Sequence, residues 1–101
     1  MKFKRKCCFW VYIVKCSDNT LYTGYTNDLE GRIRRHNEGL ASKYTRARLP
    51  VRLVWNKEYR QFKSAFKVEK IIKGLTRKQK ELLVKGKRLD KVLAKAKIGK
   101  A

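Results

Sequence analysis

WVYIVKCSDNTLYTG, the stretch from Trp10 to Gly24, contains two apolar runs that are separated by a polar turn and carry one tyrosine each. The first run is rich in aromatic and β-branched residues, as is typical of a strand covered on both faces. Asp18 and Asn19 tolerate the positive φ angles of a tight turn, and the second run supplies the return strand. The stretch therefore predicts a β-hairpin at the start of the domain.

The length of the hairpin loop decides whether Tyr12 and Tyr22 share one face of the sheet, because side chains alternate across a strand. A two-residue loop at Asp18-Asn19 pairs Tyr12 with Tyr25 and leaves Tyr22 on the other face. A loop of three or five residues, or a bulge that mimics it, places both tyrosines on the same face. The sequence leaves these registers open.

A helix is predicted after the hairpin, over residues 28–38. Asn27 can serve as its N-cap, with Glu30 three residues further on completing a capping box. Gly39 offers a stop for this helix, and a polar loop rich in Lys and Arg follows over residues 41–49.

The second half of the domain predicts one more strand and two more helices. The strand covers residues 51–59. Ser64 can cap the second helix, and Thr76 with Gln79 forms the capping box of the third, which Gly86 ends. The order β-β-α-β-α-α predicts an α/β fold, with a small three-stranded antiparallel sheet flanked by helices.

The chain of 101 residues is long enough for one domain. We predict a basic N-terminal extension over residues 1–8, a folded domain over residues 9–86 and a Lys-rich tail over residues 87–101. The tail is either an amphipathic helix or a segment that orders only on a partner.

The charge of the chain indicates an anionic partner. The formal net charge is +20, from 28 Lys and Arg against 8 Asp and Glu, and self-repulsion of this size opposes folding unless it is neutralised. Nucleic acid is the first candidate and an anionic membrane surface the second. Because the apolar positions of the tail are sparse and small, we expect DNA or RNA as the partner and no membrane.

The cysteines suggest an intracellular environment. Cys7, Cys8 and Cys16 lack the paired spacing of a zinc site, and no secretory signal is evident. We therefore expect reduced thiols and a cytoplasmic protein associated with the nucleoid, or a nuclear protein in a eukaryote.

Arg32, His36 and Glu69 are the polar residues whose positions suggest chemistry. Arg32 and His36 are four residues apart and project from the same side of the first predicted helix. Glu69 is the single acidic residue between Glu58 and Glu81, and it lies at the border of an apolar helical stripe. It can be the ion-pair partner of a neighbouring lysine or a ligand for a hard cation, and His36 can be structural or functional.

Residues 9–83 resemble the GIY-YIG nuclease family, in particular its small stand-alone members. The matching segments are Trp10-Val11-Tyr12, Tyr22-Thr23-Gly24, Asp28-Leu29-Glu30-Gly31-Arg32 with His36-Asn37, Lys43-Tyr44-Thr45, and Ser64-Ala65 through Glu69. Trp10 and Thr23 stand where the family name has glycine and isoleucine, which are framework positions. Some members carry an asparagine after the metal-binding glutamate, and this chain has no asparagine beyond Asn56.

The resemblance implies a GIY-YIG endonuclease that hydrolyses DNA phosphodiester bonds with one Mg²⁺ or Mn²⁺ ion. It maps the metal ligand to Glu69, the phosphate clamp to Arg32 and the hydroxyl chemistry to Tyr12 and Tyr22, with His36 and Tyr44 in support. The basic residues that we expect to contact nucleic acid are Arg34, Arg35, Lys43, Arg46, Arg48 and Lys73. We predict selectivity for a DNA structure, and a protein partner or a dimer where both strands are cut. The alternative is a catalytically silent DNA- or RNA-binding module of the same fold.

Overall fold

Three antiparallel strands form the centre of the structure, a computed structural model that describes residues 8–92. The strands are β1 (Phe9–Lys15), β2 (Leu21–Thr26) and β3 (Arg52–Tyr59), in the sheet order β2-β1-β3. The helices are α1 (Leu29–Asn37), α2 (Lys43–Arg46), α3 (Phe62–Lys73) and α4 (Arg77–Val84). The predicted α/β fold, with its flanking helices, is confirmed.

The β1–β2 hairpin has a three-residue loop. The amide of Cys16 donates to the carbonyl of Thr20 at 2.9 Å, which closes the loop, and Asn19 takes the left-handed conformation with φ 69°. This is the register that places Tyr12 and Tyr22 on the same face of the sheet.

Each face of the sheet is covered by helices, and each has its own core. The first core contains Val11, Ile13, Ala65, Ile72, Leu83 and Val92. The second contains Tyr12, Val14, Cys16 and Val51, with Leu29 and Ile33 packed against it. Successive residues of β1 point to opposite faces of the sheet. They pack against α3 and α4 on one face and against α1 on the other. The strand β2 is an edge strand between these two layers.

The first helix begins at a different cap from the predicted one. Asp28 caps α1 by accepting a hydrogen bond from the amide of Gly31 at 3.2 Å, so the prediction of Asn27 as N-cap is wrong. A carboxylate satisfies a free amide at a helix start as well as a carboxamide does, and here the later residue lies within reach. The predicted stop at Gly39 is confirmed by its φ of 79°.

The segment predicted as a loop over residues 41–49 contains the single turn α2. Ser42 caps it by accepting from the amide of Thr45 at 3.1 Å. Arg48 connects this segment to the hairpin loop through two contacts. Its side chain pairs with Asp18 at 3.0 Å, and its carbonyl accepts a hydrogen bond from the amide of Ser17.

The helix α3, which is the second of the predicted helices, begins earlier than predicted. Gln61 occupies the N-cap position of α3 and Ser64 lies inside the helix, so the prediction of Ser64 as a cap is wrong. The additional residues bring Phe62 edge-on to the rings of Phe9 and Tyr25, at centroid distances of 5.8 and 5.7 Å. These aromatic contacts favour a helix that starts before the serine.

The helix α4, which is the third of the predicted helices, is capped as predicted. After it, the chain continues along the first core. Thr76 and Gln79 form the capping box of α4. Within residues 87–92, the described part of the predicted tail, Val92 is buried in the first core and Leu89 packs against it. Of the predicted extension over residues 1–8, residues 1–7 lie outside the described residues, as does the rest of the tail. No helix between residues 8 and 92 has the length and apolar character needed to cross a membrane.

Candidate active site

A pocket of about 280 Å³ lies at the free edge of β2. Its lining consists of Tyr12, Tyr22, Gly24, Tyr25, Arg32, Glu69 and Lys73. Arg32 comes from the helix on one face of the sheet and Glu69 from a helix on the other, so the pocket lies where the two layers meet. The structure thus brings together four of the six predicted catalytic candidates, namely Tyr12, Tyr22, Arg32 and Glu69, with one predicted nucleic-acid-binding residue, Lys73.

Tyr12 reaches the pocket across the backbone of Gly24. The two residues face each other in the β1–β2 ladder, and a Cβ atom at position 24 would lie 2.6 Å from the Tyr12 hydroxyl oxygen. Glycine is therefore needed here because the phenol occupies the space of a side chain. Burial raises the pKa of Tyr12 to about 12, with Tyr22 adding to the rise and Arg32 opposing it.

His36 lies behind Tyr12 and does not line the pocket. Its Nε2 atom is 2.8 Å from the Tyr12 hydroxyl oxygen, and its Nδ1 atom is 2.8 Å from Oγ1 of Thr45. Both His36 and Thr45 are buried. Burial, and to a lesser degree the charge of Arg32, lowers the pKa of His36, so the imidazole is neutral at pH 7. A neutral imidazole has one donor and one acceptor nitrogen, which matches two hydroxyl partners.

Tyr44 supports the pocket from outside. Its ring stacks on that of Tyr22 at a centroid distance of 5.9 Å, and the guanidinium of Arg48 lies 3.9 Å from the centroid of the Tyr44 ring. Arg48 also donates to the Tyr44 carbonyl at 2.8 Å. Since Tyr22 additionally contacts His36 edge-on at 5.3 Å, its ring is held between two aromatic neighbours.

Glu69 is buried and forms an ion pair with Lys73, its Oε2 atom lying 2.9 Å from Nζ. The two residues are four apart on α3, and the hydrogen bond that Lys73 donates to the Glu69 carboxylate raises the pKa of Lys73. Glu69 therefore has the ion-pair partner that one interpretation of the sequence expected, and it also faces the pocket.

The residues present fit a single Mg²⁺ or Mn²⁺ ion. Within residues 8–92 no group of three His, Cys, Asp or Glu side chains could enclose a metal. Mg²⁺ usually keeps several water ligands and takes one or two carboxylates together with substrate phosphate oxygens. One buried carboxylate, Glu69, in an open pocket meets that requirement.

The predicted nucleic-acid-binding residues differ in their exposure and in their bonds to other groups of the protein. Arg34 and Arg35 are exposed and line a second pocket of about 370 Å³, which shares Arg32 with the first. Lys43 and Arg46 are exposed on α2. Arg48 and Lys73 form ion pairs within the protein, as described above, and Arg35 donates to the carbonyl of Leu40 at 3.4 Å.

Sequence reasoning missed the roles of three residues at this site. Gly24 carries a usable signal, because a glycine inside a strand often marks the close approach of another group. The Ser42–Thr45 spacing predicts a cap, but nothing in it points to a bond between the Thr45 side chain and His36. Tyr25 gave no signal, since an aromatic residue is common in a strand.

Comparison with known proteins identifies the family to which this chain belongs. The sequence model of the GIY-YIG catalytic domain matches residues 8–82, so the chain belongs to the GIY-YIG family. Among its relatives, the UPF0213 protein YazA of Bacillus subtilis is 46% identical over 80 residues, covering 79% of this chain and 81% of YazA. A UPF0213 protein of Staphylococcus aureus is 49% identical over 76 residues, which is 75% of this chain and 93% of the relative.

Two solved structures resemble this fold over about three quarters of the chain. The solution NMR structure of the UPF0213 protein BH0048 from Bacillus halodurans has a TM-score of 0.52 at 42% identity, over 77% of this chain and 83% of that one. The solution NMR structure of the protein EF2693 from E. faecalis has a TM-score of 0.54 at 38% identity, with the same shares covered. This chain is thus similar to small single-domain members of the GIY-YIG family.

Proposed function

We propose that this protein is a metal-dependent endonuclease that hydrolyses DNA phosphodiester bonds and selects its substrate by DNA structure. The observation that carries the proposal is the convergence of Tyr12, Tyr22, Arg32 and Glu69 on one pocket. The net charge of +20 supports a polyanionic substrate. The described residues form one small domain, which favours recognition of a local DNA shape over a long base sequence.

Arg32 is suited to bind the scissile phosphate. Its guanidinium stays charged at any physiological pH and offers several donors. It lines the pocket beside Tyr12 and Tyr22, so it would bind the phosphate and stabilise the charge that grows there in the transition state. Removal of a fixed donor of this kind typically lowers a rate by about 10²- to 10³-fold.

Tyr12 is suited to accept a proton from the attacking water. With the imidazole proton on Nδ1, His36 donates to Thr45 and accepts from the Tyr12 hydroxyl through Nε2. That tautomer directs the lone pairs of the Tyr12 oxygen at the pocket, where they can receive a water proton while the phenol proton moves to His36. Because burial disfavours a free phenolate, this relay explains how a tyrosine with a raised pKa takes part.

Glu69 would hold the metal, which when bound supplies Lewis-acid polarisation of the phosphate. A metal ion there would compete with the ammonium group of Lys73, which pairs with Oε2 of the carboxylate in the free protein. The freed ammonium group stays at the pocket wall, where it can bind a neighbouring DNA phosphate. In the free protein the charges of Glu69 and Lys73 neutralise each other. On the substrate, the Glu69 carboxylate would hold the metal and the Lys73 ammonium group would bind a phosphate.

The test is a cleavage assay on supercoiled, branched, flapped and single-stranded DNA with Mg²⁺ or Mn²⁺. We expect nicking by the wild type and loss of at least about 10²-fold in Glu69→Gln. Glu81→Gln is the matched control, because Glu81 is paired with Arg77 on α4 and does not line the pocket. Binding without cleavage by the wild type would instead establish the silent DNA- or RNA-binding module, and full activity of Glu69→Gln would overturn the assigned metal ligand.

A further inference from the structure

An exposed aromatic cluster lies next to the candidate active site. The rings of Phe62 and Phe66, four residues apart on α3, stack on each other at a centroid distance of 5.5 Å. Their relative exposures are 46% and 39%. Tyr25 meets both rings edge-on, at 5.7 and 6.0 Å. We call these three side chains the aromatic shelf.

The shelf is continuous with the pocket. Tyr25 belongs to both, since it lines the pocket and contacts Phe62 and Phe66. Phe66 precedes Glu69 by three residues of the same helix, a rise of about 4.5 Å along the axis. A group stacked on Phe66 would thus lie on the order of one or two nucleotides from a phosphate bound at the pocket.

The charges around the shelf indicate what kind of group covers it. Lys63, Lys67 and Lys70 are exposed on the same helix, and the Nζ atom of Lys70 lies 4.8 Å from the centroid of the Phe66 ring. A second copy of this chain, with the same excess of positive charge, would be repelled from such a surface. A polyanion that also carries flat apolar rings is complementary to it, and single-stranded DNA has both properties.

We propose that Tyr25, Phe62 and Phe66 form a stacking platform for unpaired DNA bases beside the scissile phosphate. The bases of an intact duplex are already stacked on one another, so the platform selects DNA that has a single-stranded segment at the cut, such as a flap or a gap. The placement beside a scissile phosphate rests on the proposed nuclease function. The stacking itself requires neither metal nor turnover.

The test measures stacking in the full-length protein with EDTA present, so that cleavage does not interfere. Oligonucleotides that carry 2-aminopurine report stacking by fluorescence quenching, and anisotropy gives the affinity for matched single-stranded and duplex DNA. Phe66→Leu removes the π face and keeps an apolar side chain, whereas Phe66→Tyr keeps the ring and is the matched control. Lys67→Ala removes an exposed charge from the same helix.

We expect Phe66→Leu to weaken single-strand binding by about 5- to 100-fold and to lose the quenching, with less than about a twofold change on duplex DNA. Phe66→Tyr should bind like the wild type, and Lys67→Ala should weaken both forms of DNA alike. The melting temperature of each variant is measured as well, because residue 66 is 39% exposed and contacts Phe62 and Tyr25, contacts that Phe66→Tyr keeps.

Equal losses on both forms of DNA, or unchanged quenching in Phe66→Leu, would overturn the proposal. So would a wild-type dimer in light scattering that Phe66→Leu dissociates, since the shelf would then be a contact between two copies. If the wild type stacks unpaired bases but cleaves no DNA, the proposed nuclease function fails while the platform stands as a binding site.

Discussion

Replacement of Lys73 by methionine should increase the affinity of the metal-free protein for Mn²⁺. In the free protein Lys73 Nζ lies 2.9 Å from Glu69 Oε2, so a metal ion must compete with an ammonium group for the carboxylate. Methionine keeps the apolar part of the lysine side chain and removes the charge. The substitution therefore tests whether Lys73 limits access to Glu69.

The expected gain in Mn²⁺ affinity is limited by the solvent exposure of the Glu69–Lys73 ion pair. Two unit charges 2.9 Å apart attract by about 1.4 kcal/mol at the dielectric constant of water, and by more where the surroundings are less polar. The Lys73 side chain is 52% exposed while that of Glu69 is 7% exposed, and the net contribution of exposed pairs is rarely above about 1 kcal/mol. Loss of about 1 kcal/mol of competition corresponds to about fivefold tighter metal binding.

The assay is a titration with Mn²⁺ in the absence of DNA, followed by electron paramagnetic resonance or calorimetry. Lys70→Met is the matched control, because Lys70 is an exposed lysine of the same helix whose ammonium group lies over the ring of Phe66. It removes the same charge without freeing Glu69. Equal gains in Lys73→Met and Lys70→Met would show that net charge alone sets the affinity, and an unchanged or weaker affinity in Lys73→Met would refute the competition.

Three further substitutions test the interior of the site. Gly24→Ala should lower the nicking rate by about 10²-fold or more, because the new Cβ atom displaces the Tyr12 hydroxyl from its place beside His36. The free energy of unfolding should decrease as pH falls from about 7.5 to 5.5, since the folded protein lowers the pKa of His36 and the unfolded chain therefore binds the extra proton. Urea unfolding should show this slope in the wild type and a flatter one in His36→Gln. Thr23→Val should raise the free energy of unfolding by about 1 kcal/mol, because the buried Thr23 Oγ1 has no hydrogen-bond partner among the described residues; destabilisation by this change would contradict that account.

The order of the elements was predictable from sequence because each strand and most helices carry a strong local pattern. The hairpin register was not, since two- and three-residue loops fit the same turn residues and the strand pairing, with Cys16 opposite Thr20, distinguishes them only in the folded structure. The turn α2 was missed because a helix of four residues is too short to show hydrophobic periodicity. The early start of α3 depends on ring contacts of Phe62 with residues distant in the chain, which local capping rules do not include.

At the candidate site too, a contact between residues close in sequence could be predicted, whereas contacts between distant residues could not. The pairing of Glu69 with Lys73 follows a spacing of four residues on a helix and could have been specified from sequence. The chain from Tyr12 through His36 to Thr45 joins three separate elements, so only the folded structure reveals it. The resemblance to a known family supplied the candidate residues, and the fold supplied their contacts.

The position of the pocket at a sheet edge has a consequence for how DNA would lie on the protein. The layer that contains α1 contributes Arg32, and the exposed Arg34 and Arg35 extend the cationic surface on that side. The opposite layer contributes Glu69 and the aromatic shelf. Phosphates can be bound on a duplex of any sequence, whereas stacking requires unpaired bases. If both proposals hold, the paired arm of the substrate lies on the arginine side and the unpaired arm on the aromatic side, so the junction between them falls at the pocket where the phosphate is cut.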